Sequence, residues 1–233
     1  MGRQRQNSQR QMDIIRKLRQ IDTPTLSNAI EKLHIRSRTR GFCDSSLRCL
    51  FPDLGVMCGY VVTAEVETMN PDKEGVLDQP FFDLCEAIRL APKPVVVAMR
   101  EIGAHREFCA HCGEVLATVF QRLGAVGLVS DASVRDIREV RALGFHYFAT
   151  GTVASHGNFR IVRAQVPVTI CGLQLSPGDL VHGDANGLIL LPREQVDRLP
   201  ALVKEVRRSE RQVLGYVKSR QFTLEGLKKR IVH

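Results

Sequence analysis

Residues 113–149 read GEVLATVFQRLGAVGLVSDASVRDIREVRALGFHYFA, and the changes of hydrophobic period inside that stretch decide the fold. Leu116, Val119, Phe120 and Leu123 share one helical stripe, and Gly124 follows as a left-handed stop. Ala125 to Val129 is an apolar run of strand length. Ile137, Val140 and Leu143 then return to helical spacing before Gly144, and Phe145 to Ala149 is strand-like again. Helix, strand, helix and strand in close succession predict βαβ units and a substantially parallel sheet.

Upstream the rhythm continues. Gly59 to Thr68 alternates as a half-buried strand, Phe81 to Leu90 is a helix bounded by prolines, and Val95 to Met99 is a buried strand. Asp22-Thr23-Pro24 marks a helix start, followed by Leu26, Ile30 and Leu33 at helical spacing. Downstream of Gly151 the texture changes to short apolar runs joined by Pro177-Gly178-Asp179 and Asp184-Ala185-Asn186-Gly187 turns. Pro192 is expected to open a long amphipathic C-terminal helix reaching about Val217.

Composition narrows the function classes. A chain of 233 residues, 44% hydrophobic and 25% charged, can bury one sizeable core or at most two. Its apolar runs are shorter than a membrane span, and the N-terminus lacks the apolar segment of a secretory signal. The odd number of cysteines, seven, argues for reduced thiols and a cytoplasmic setting. Cys109-x-x-Cys112 has no second ligand pair at regular spacing, so buried thiols explain it better than zinc. The net charge of +8 sits at the ends: residues 1–20 carry +5 and residues 193–233 carry +6, leaving −3 between them. With no Trp and few aromatics among those basic ends, solvated faces explain the charge better than nucleic-acid recognition does.

Two clusters could carry chemistry. Arg135 and Asp136 follow a strand and open a helix. An aspartate there gains about 0.3–1 kcal/mol from free N–H groups and the helix dipole. The same position, at the carboxyl end of a parallel strand, is where open α/β sheets bind ligands. Arginine offers a fork for a carboxylate, and one aspartate suffices for Mg²⁺ that keeps waters and takes substrate ligands. Gly113-Glu114-Val115-Leu116 opens the preceding helix, whose free amides form an anion site; Glu114 equally complements that helix end as an ordinary first-turn acid.

Taken in order, GEVLAT at 113–118, VSDASVRD at 129–136, FHYFATG at 145–151 and PVTICGLQLSPGDLVHGDANGLILLP at 167–192 resemble the RraA-like family. That family includes 4-hydroxy-4-methyl-2-oxoglutarate/4-carboxy-4-hydroxy-2-oxoadipate aldolases and regulators of ribonuclease E. TPTLSNAIEKL at 23–33 extends the resemblance, which covers about residues 15–228 and leaves 1–14 as a basic, flexible arm. It implies a single α/β domain of the swivelling β/β/α kind with a C-terminal amphipathic helix, assembled as a homotrimer or homohexamer with sites between subunits. It further implies a metal-dependent lyase that cleaves small 2-oxo acids through a pyruvate enolate. Asp136 would then bind Mg²⁺ or Mn²⁺, and Arg135 would hold the pyruvyl group and its enolate. Gly113 and the amides of Val115 and Leu116 would receive the substrate carboxylate, and Glu114 would order water. Glu210 of a neighbouring terminal helix, with Glu205 as second choice, would complete the water network, whose metal-ordered water, held by Glu114 and Glu210, is the expected base for the 4-hydroxyl proton. The family's alternative role is a non-catalytic protein that binds and inhibits a ribonuclease. The sequence departs from the family at Ala132, where glycine is usual, and at Ser133; both departures are expected to alter the substrate pocket.

Overall fold

The computed structural model describes residues 2–69 and 77–231. The chain begins with helix α1, Gly2–Leu18, and helix α2, Thr23–Glu31. Strand β1, Arg48–Cys49, precedes the long strand β2, Met57–Glu67. Three crossovers follow: α3 (Gln79–Leu90) to β3 (Val95–Glu101), α4 (Glu114–Leu123) to β4 (Ala125–Ser130), and α5 (Ile137–Ala142) to β6 (His146–Ala149), with the short β5 (Ser133–Val134) just before α5. Then come β7 (Gly151–Thr152), β8 (Arg160–Ala164), β9 (Val168–Ile170), β10 (Leu173–Leu175), β11 (Leu180–Asp184) and β12 (Gly187–Leu191). Helices α6 (Leu199–Val217) and α7 (Leu224–Ile231) end the described chain. No helix among the described residues is long and apolar enough to cross a membrane.

The main sheet runs β1-β6-β4-β3-β2-β11-β12, with β8 also paired to β2. The pairs β2/β3, β3/β4 and β4/β6 are parallel, as the crossover rhythm predicts, while β11 and β8 join β2 antiparallel. Strand β2 is the hub: its first half pairs with β11 and its second half with β8 along the same edge. Residues 41–49 then nearly close the sheet into a barrel. Cys43 donates its N–H to Leu188 of β12, Phe42 bridges Ile189, and Arg48–Cys49 pair with β6 at the opposite edge.

Alternation along the strands divides the core. On β3, Val95, Val97 and Met99 face α3 and α4, whereas Val96 and Ala98 face the barrel interior. That interior is completed by Val61, Val129, Phe148 and Val181 and plugged by the β9–β10 hairpin through Val168, Ile170, Leu173 and Leu175. A third cluster joins Ile14, Ile15 and Leu18 of α1 to Leu26 and Ile30 of α2, Tyr60, Leu180, and Leu199 and Val203 of α6.

Two expectations change. The segment 1–14, expected as a flexible arm, is helical from Gly2 onward and delivers Ile14 to the core. Its glutamines and arginines are good helix formers, and the only apolar stripe able to anchor it lies at its end. The C-terminal helix does not start at Pro192: Arg193–Arg198 form a 3₁₀ stretch, and the α-helix begins at Leu199. Asp22 caps α2 as its sequence indicates, accepting the Thr25 N–H at 2.8 Å.

Candidate functional site

The two candidate clusters lie 22 residues apart in sequence and meet through backbone pairing. The segment before α4 runs beside β5: Ser133 donates its N–H to Cys109, His111 donates to Ser133, and Arg135 donates to Cys112. This ladder sets Gly113 against Arg135 and Asp136 at the carboxyl ends of β3 and β4. A Cβ on Gly113 would lie 2.4 Å from Asp136 Oδ2 and 3.1 Å from Arg135 Nε, so only glycine leaves room for the pair.

Asp136 does not cap the helix it opens. Its backbone is left-handed (φ 57°, ψ 48°), and its Oδ2 accepts the N–H of Glu114, the first residue of α4, at 2.8 Å. Gly113 has no side chain to cap that helix, so the aspartate of the next βα turn does so instead. Arg135 Nε stands 3.6 Å from the same Oδ2, and its Nη1 donates to the Ala154 carbonyl at 3.4 Å. Both side chains keep about a third of their surface exposed, Arg135 35% and Asp136 34%, and so are open to a ligand.

A cavity of about 250 Å³ opens here. Gly113, Val115, Leu116, Arg135 and Asp136 line it together with His111, Cys112, His156, Phe159 and Leu77. Its polar groups are one guanidinium, one carboxylate and two imidazoles, set among largely apolar walls. No lysine lines it among the described residues. A larger, open groove of about 810 Å³ between α1 and α6 is lined mainly by Gln, Arg, Lys and Asp side chains and holds none of the candidate residues.

Below the cavity floor lies a buried polar chain. His111 Nε2 is 3.0 Å from Glu101 Oε2, and His111 Nδ1 is 2.9 Å from Ser130 Oγ. Glu101 also accepts the Thr68 hydroxyl at 2.9 Å and the Gly103 N–H at 2.9 Å. Burial opposes the charge on Glu101, yet hydrogen bonding and the proximity of His111 hold its carboxyl below the usual range. The order Ser130–His111–Glu101 matches that of a nucleophilic triad, but all three side chains are buried, so here it ties together β3, β4 and the approach to α4. Asp131, beside it, accepts the Glu101 N–H at 2.8 Å, and burial raises its carboxyl.

The remaining candidates fall elsewhere. The Glu114 side chain is exposed and is not part of the cavity wall. Glu210 accepts a hydrogen bond from Asn28 Nδ2 at 3.3 Å and lines a separate cavity with Glu31, Lys32 and His34; Glu205 pairs with Lys32 at 3.9 Å. Ala132 stays out of the left-handed region, and Ala132 and Ser133 are buried behind the cavity rather than lining it, so the two departures from the family pattern do not shape its wall directly. Burial pushes Cys109 up to about 11 and Cys112 up to about 12, so both stand as protonated core thiols. His156, Phe159 and Leu77 come from loops that the hydrophobic period does not flag; the Ser155-His156-Gly157 turn between β7 and β8 is the sequence signal that marks the first.

One carboxylate suits a hard cation that keeps water and substrate oxygens as its other ligands. Among the described residues no three His, Cys, Asp or Glu side chains cluster as a self-sufficient metal cage. An ion at Asp136 would therefore depend on those other ligands, and the donor chemistry fits Mg²⁺ or Mn²⁺.

The family model described as Aldolase/RraA matches residues 23–190. A protein of Halalkalibacterium halodurans named "Putative 4-hydroxy-4-methyl-2-oxoglutarate aldolase" is 27% identical over 193 residues, covering 82% of each chain. Among solved structures, an uncharacterized protein from Pseudomonas syringae superposes with a TM-score of 0.70 at 21% identity, covering 94% of this chain and 93% of the other. RraAS2 of Streptomyces coelicolor, described as an unusual member of the RNase ES inhibitor RraA protein family, superposes with a TM-score of 0.65 at 24% identity, covering 89% and 96%. Both superpositions support the fold.

Proposed function

This chain belongs to the Aldolase/RraA family, and on that premise we propose that it is a divalent-metal-dependent carbon–carbon lyase releasing pyruvate from small 2-oxo acids. Retro-aldol cleavage of a 4-hydroxy-2-oxo acid and decarboxylation of oxaloacetate both leave a pyruvate enolate, so one site serves either. The observation that carries the reading is a single cavity holding the Arg135 fork, the Asp136 carboxylate and the first turn of α4.

Each residue has a role set by its chemistry. Arg135 binds the pyruvyl carboxylate and stabilises negative charge as it develops on the 2-oxo oxygen. The N–H groups of Val115 and Leu116, in the first turn of α4 next to the Glu114 N–H that Asp136 already takes, receive carboxylate oxygen, while Gly113 keeps the approach open. Asp136 would hold Mg²⁺ or Mn²⁺, which supplies electrophilic polarisation of the 2-oxo group when bound. The walls formed by Leu77, Val115, Leu116 and Phe159 exclude water from the enolate. Glu114 and a neighbouring subunit's Glu210 order water at the mouth, within a trimer or hexamer. The absence of lysine from the described lining agrees with enolate rather than Schiff-base chemistry.

The test is pyruvate release from oxaloacetate and 4-hydroxy-4-methyl-2-oxoglutarate by purified protein with Mg²⁺ or Mn²⁺. Asp136→Asn suits it because asparagine tolerates the left-handed backbone and still accepts the Glu114 N–H. That variant is expected to lose about 100-fold or more of the activity, and Arg135→Lys to lose about tenfold or more, because the fork is gone. Full activity after exhaustive chelation would overturn the metal-dependent reading. No turnover of either acid, with ribonuclease binding equal in the native protein and Asp136→Asn, would replace it with a non-catalytic inhibitor.

A further inference from the structure

We propose that His156 is the proton carrier of this lyase: it takes the 4-hydroxyl proton of a 4-hydroxy-2-oxo acid and returns it to carbon 3 of the enolate. The inference rests on the lyase reading above and adds a catalytic residue to it.

His156 lines the cavity that holds Arg135 and Asp136. Its Nδ1 lies 2.6 Å from the carbonyl oxygen of Gly157. A carbonyl can only accept, so Nδ1 carries the hydrogen and the neutral ring keeps Nε2 as its unprotonated nitrogen. Among the described residues Nε2 has no hydrogen-bond partner. The His156 side chain is exposed, and the backbone of its turn is pinned on both sides. The Gly157 N–H donates to Ser155 Oγ at 3.2 Å, and the Asn158 N–H donates to the Thr68 carbonyl at 2.7 Å. Gly157 adopts φ +57°, and a Cβ there would lie 2.4 Å from the Thr68 oxygen, so only glycine fits this close approach. Arg135 Nη1 reaches the Ala154 carbonyl, which ties the same loop to the guanidinium.

The other titratable groups of the cavity are committed elsewhere. His111 is buried with both ring nitrogens engaged, by Glu101 and Ser130. Asp136 Oδ2 receives the Glu114 N–H. The Glu114 and Glu210 side chains lie off the cavity wall within one chain.

The proton balance closes without a further reactant. Nε2 removes the 4-hydroxyl proton, the oxygen lone pair forms the carbonyl at carbon 4, and the bond between carbons 3 and 4 breaks. Its electron pair becomes the enolate double bond between carbons 2 and 3, with charge on the carbon 2 oxygen facing Arg135. Carbon 3 then takes the proton back from Nε2, leaving pyruvate and a neutral imidazole. Decarboxylation of oxaloacetate has no hydroxyl proton to remove, and water can protonate its enolate.

That asymmetry is the test. With Mg²⁺ present, His156→Gln is expected to lower kcat for 4-hydroxy-4-methyl-2-oxoglutarate cleavage by about 100-fold or more. Oxaloacetate decarboxylation should fall by less than about tenfold, and inhibition by oxalate, a planar mimic of the enolate, should be unchanged. Added imidazole should restore cleavage to His156→Ala. Equal losses on both substrates, or no loss, would overturn the role of His156 and leave the lyase reading standing. No pyruvate from either substrate with the unaltered protein would overturn the lyase reading and this role together.

Discussion

His146 sits in β6 with its ring stacked on Phe148 at 6.5 Å and its Nδ1 buried without a partner among the described residues. Burial, aided by nearby Arg19, pushes its imidazole down from 6.5 to about 4. The unfolded chain takes up a proton on this residue below pH 6.5, whereas the folded chain does so only below about 4. Between those values protonation favours unfolding, so stability falls with falling pH by up to about 3 kcal/mol. His182, also buried and pushed down, acts in the same direction, while Asp131, raised by burial, acts in the opposite one. A comparison with His146→Phe, which keeps a ring against Phe148, cancels these shared contributions. Denaturant unfolding from pH 7 to pH 4 should show the native protein losing stability relative to that variant. Parallel curves would mean that the folded chain already accommodates a charged His146.

At the scale of elements, the site is the meeting of two helix starts, and Gly113 controls the meeting. Its backbone is extended (φ −129°, ψ −169°), so any residue could adopt its conformation; what it supplies is space. Gly113→Ala would place a methyl group 2.4 Å from Asp136 Oδ2 and 3.2 Å from Arg135 Cγ. We expect the unfolding free energy to drop by about 1–3 kcal/mol and pyruvate release to fall about 100-fold, because both functional side chains must move. Activity within about twofold of the native protein would show that the turn yields without moving them. The elements themselves were readable because their signals are local: the Leu116–Leu123 stripe, the Gly124 and Gly144 stops, the Asp22 cap. Their meeting was not readable in physical terms. It depends on β5 lying beside residues 109–112, and on an aspartate capping a helix 22 residues earlier, and no hydrophobic period encodes either pairing. Gly113, Val115, Leu116, Arg135 and Asp136 were nevertheless named from the sequence and share one cavity, whereas His156, Phe159 and Leu77 reach it from loops whose course only the folded chain reveals.

At the scale of the whole molecule, the role proposed for Glu210 has to be squared with its place outside the cavity of Arg135 and Asp136. Within one chain it accepts from Asn28 beside Glu31 and Lys32, on the face where α6 packs against α2, while Asp136 lies at the carboxyl ends of β3 and β4. A role for Glu210 in the reaction therefore points to a second copy, and α6 and α7 leave Leu214, Val217, Leu224 and Ile231 exposed to meet one. Subunit mixing decides it. Asp136→Asn and Glu210→Gln should each be nearly inactive alone, one lacking the carboxylate of the cavity and the other the acid delivered to its neighbour. Unfolded together in equal amounts and refolded, they should recover activity, since some cavities then pair an intact Asp136 with an intact Glu210 from the adjoining copy. Random assembly of pairwise sites in a closed ring leaves roughly a quarter of the cavities complete. Recovery near that fraction supports a site shared between copies. If Glu210→Gln is inactive alone and the mixture regains nothing, Glu210 acts within its own chain; a fully active Glu210→Gln would remove it from the reaction.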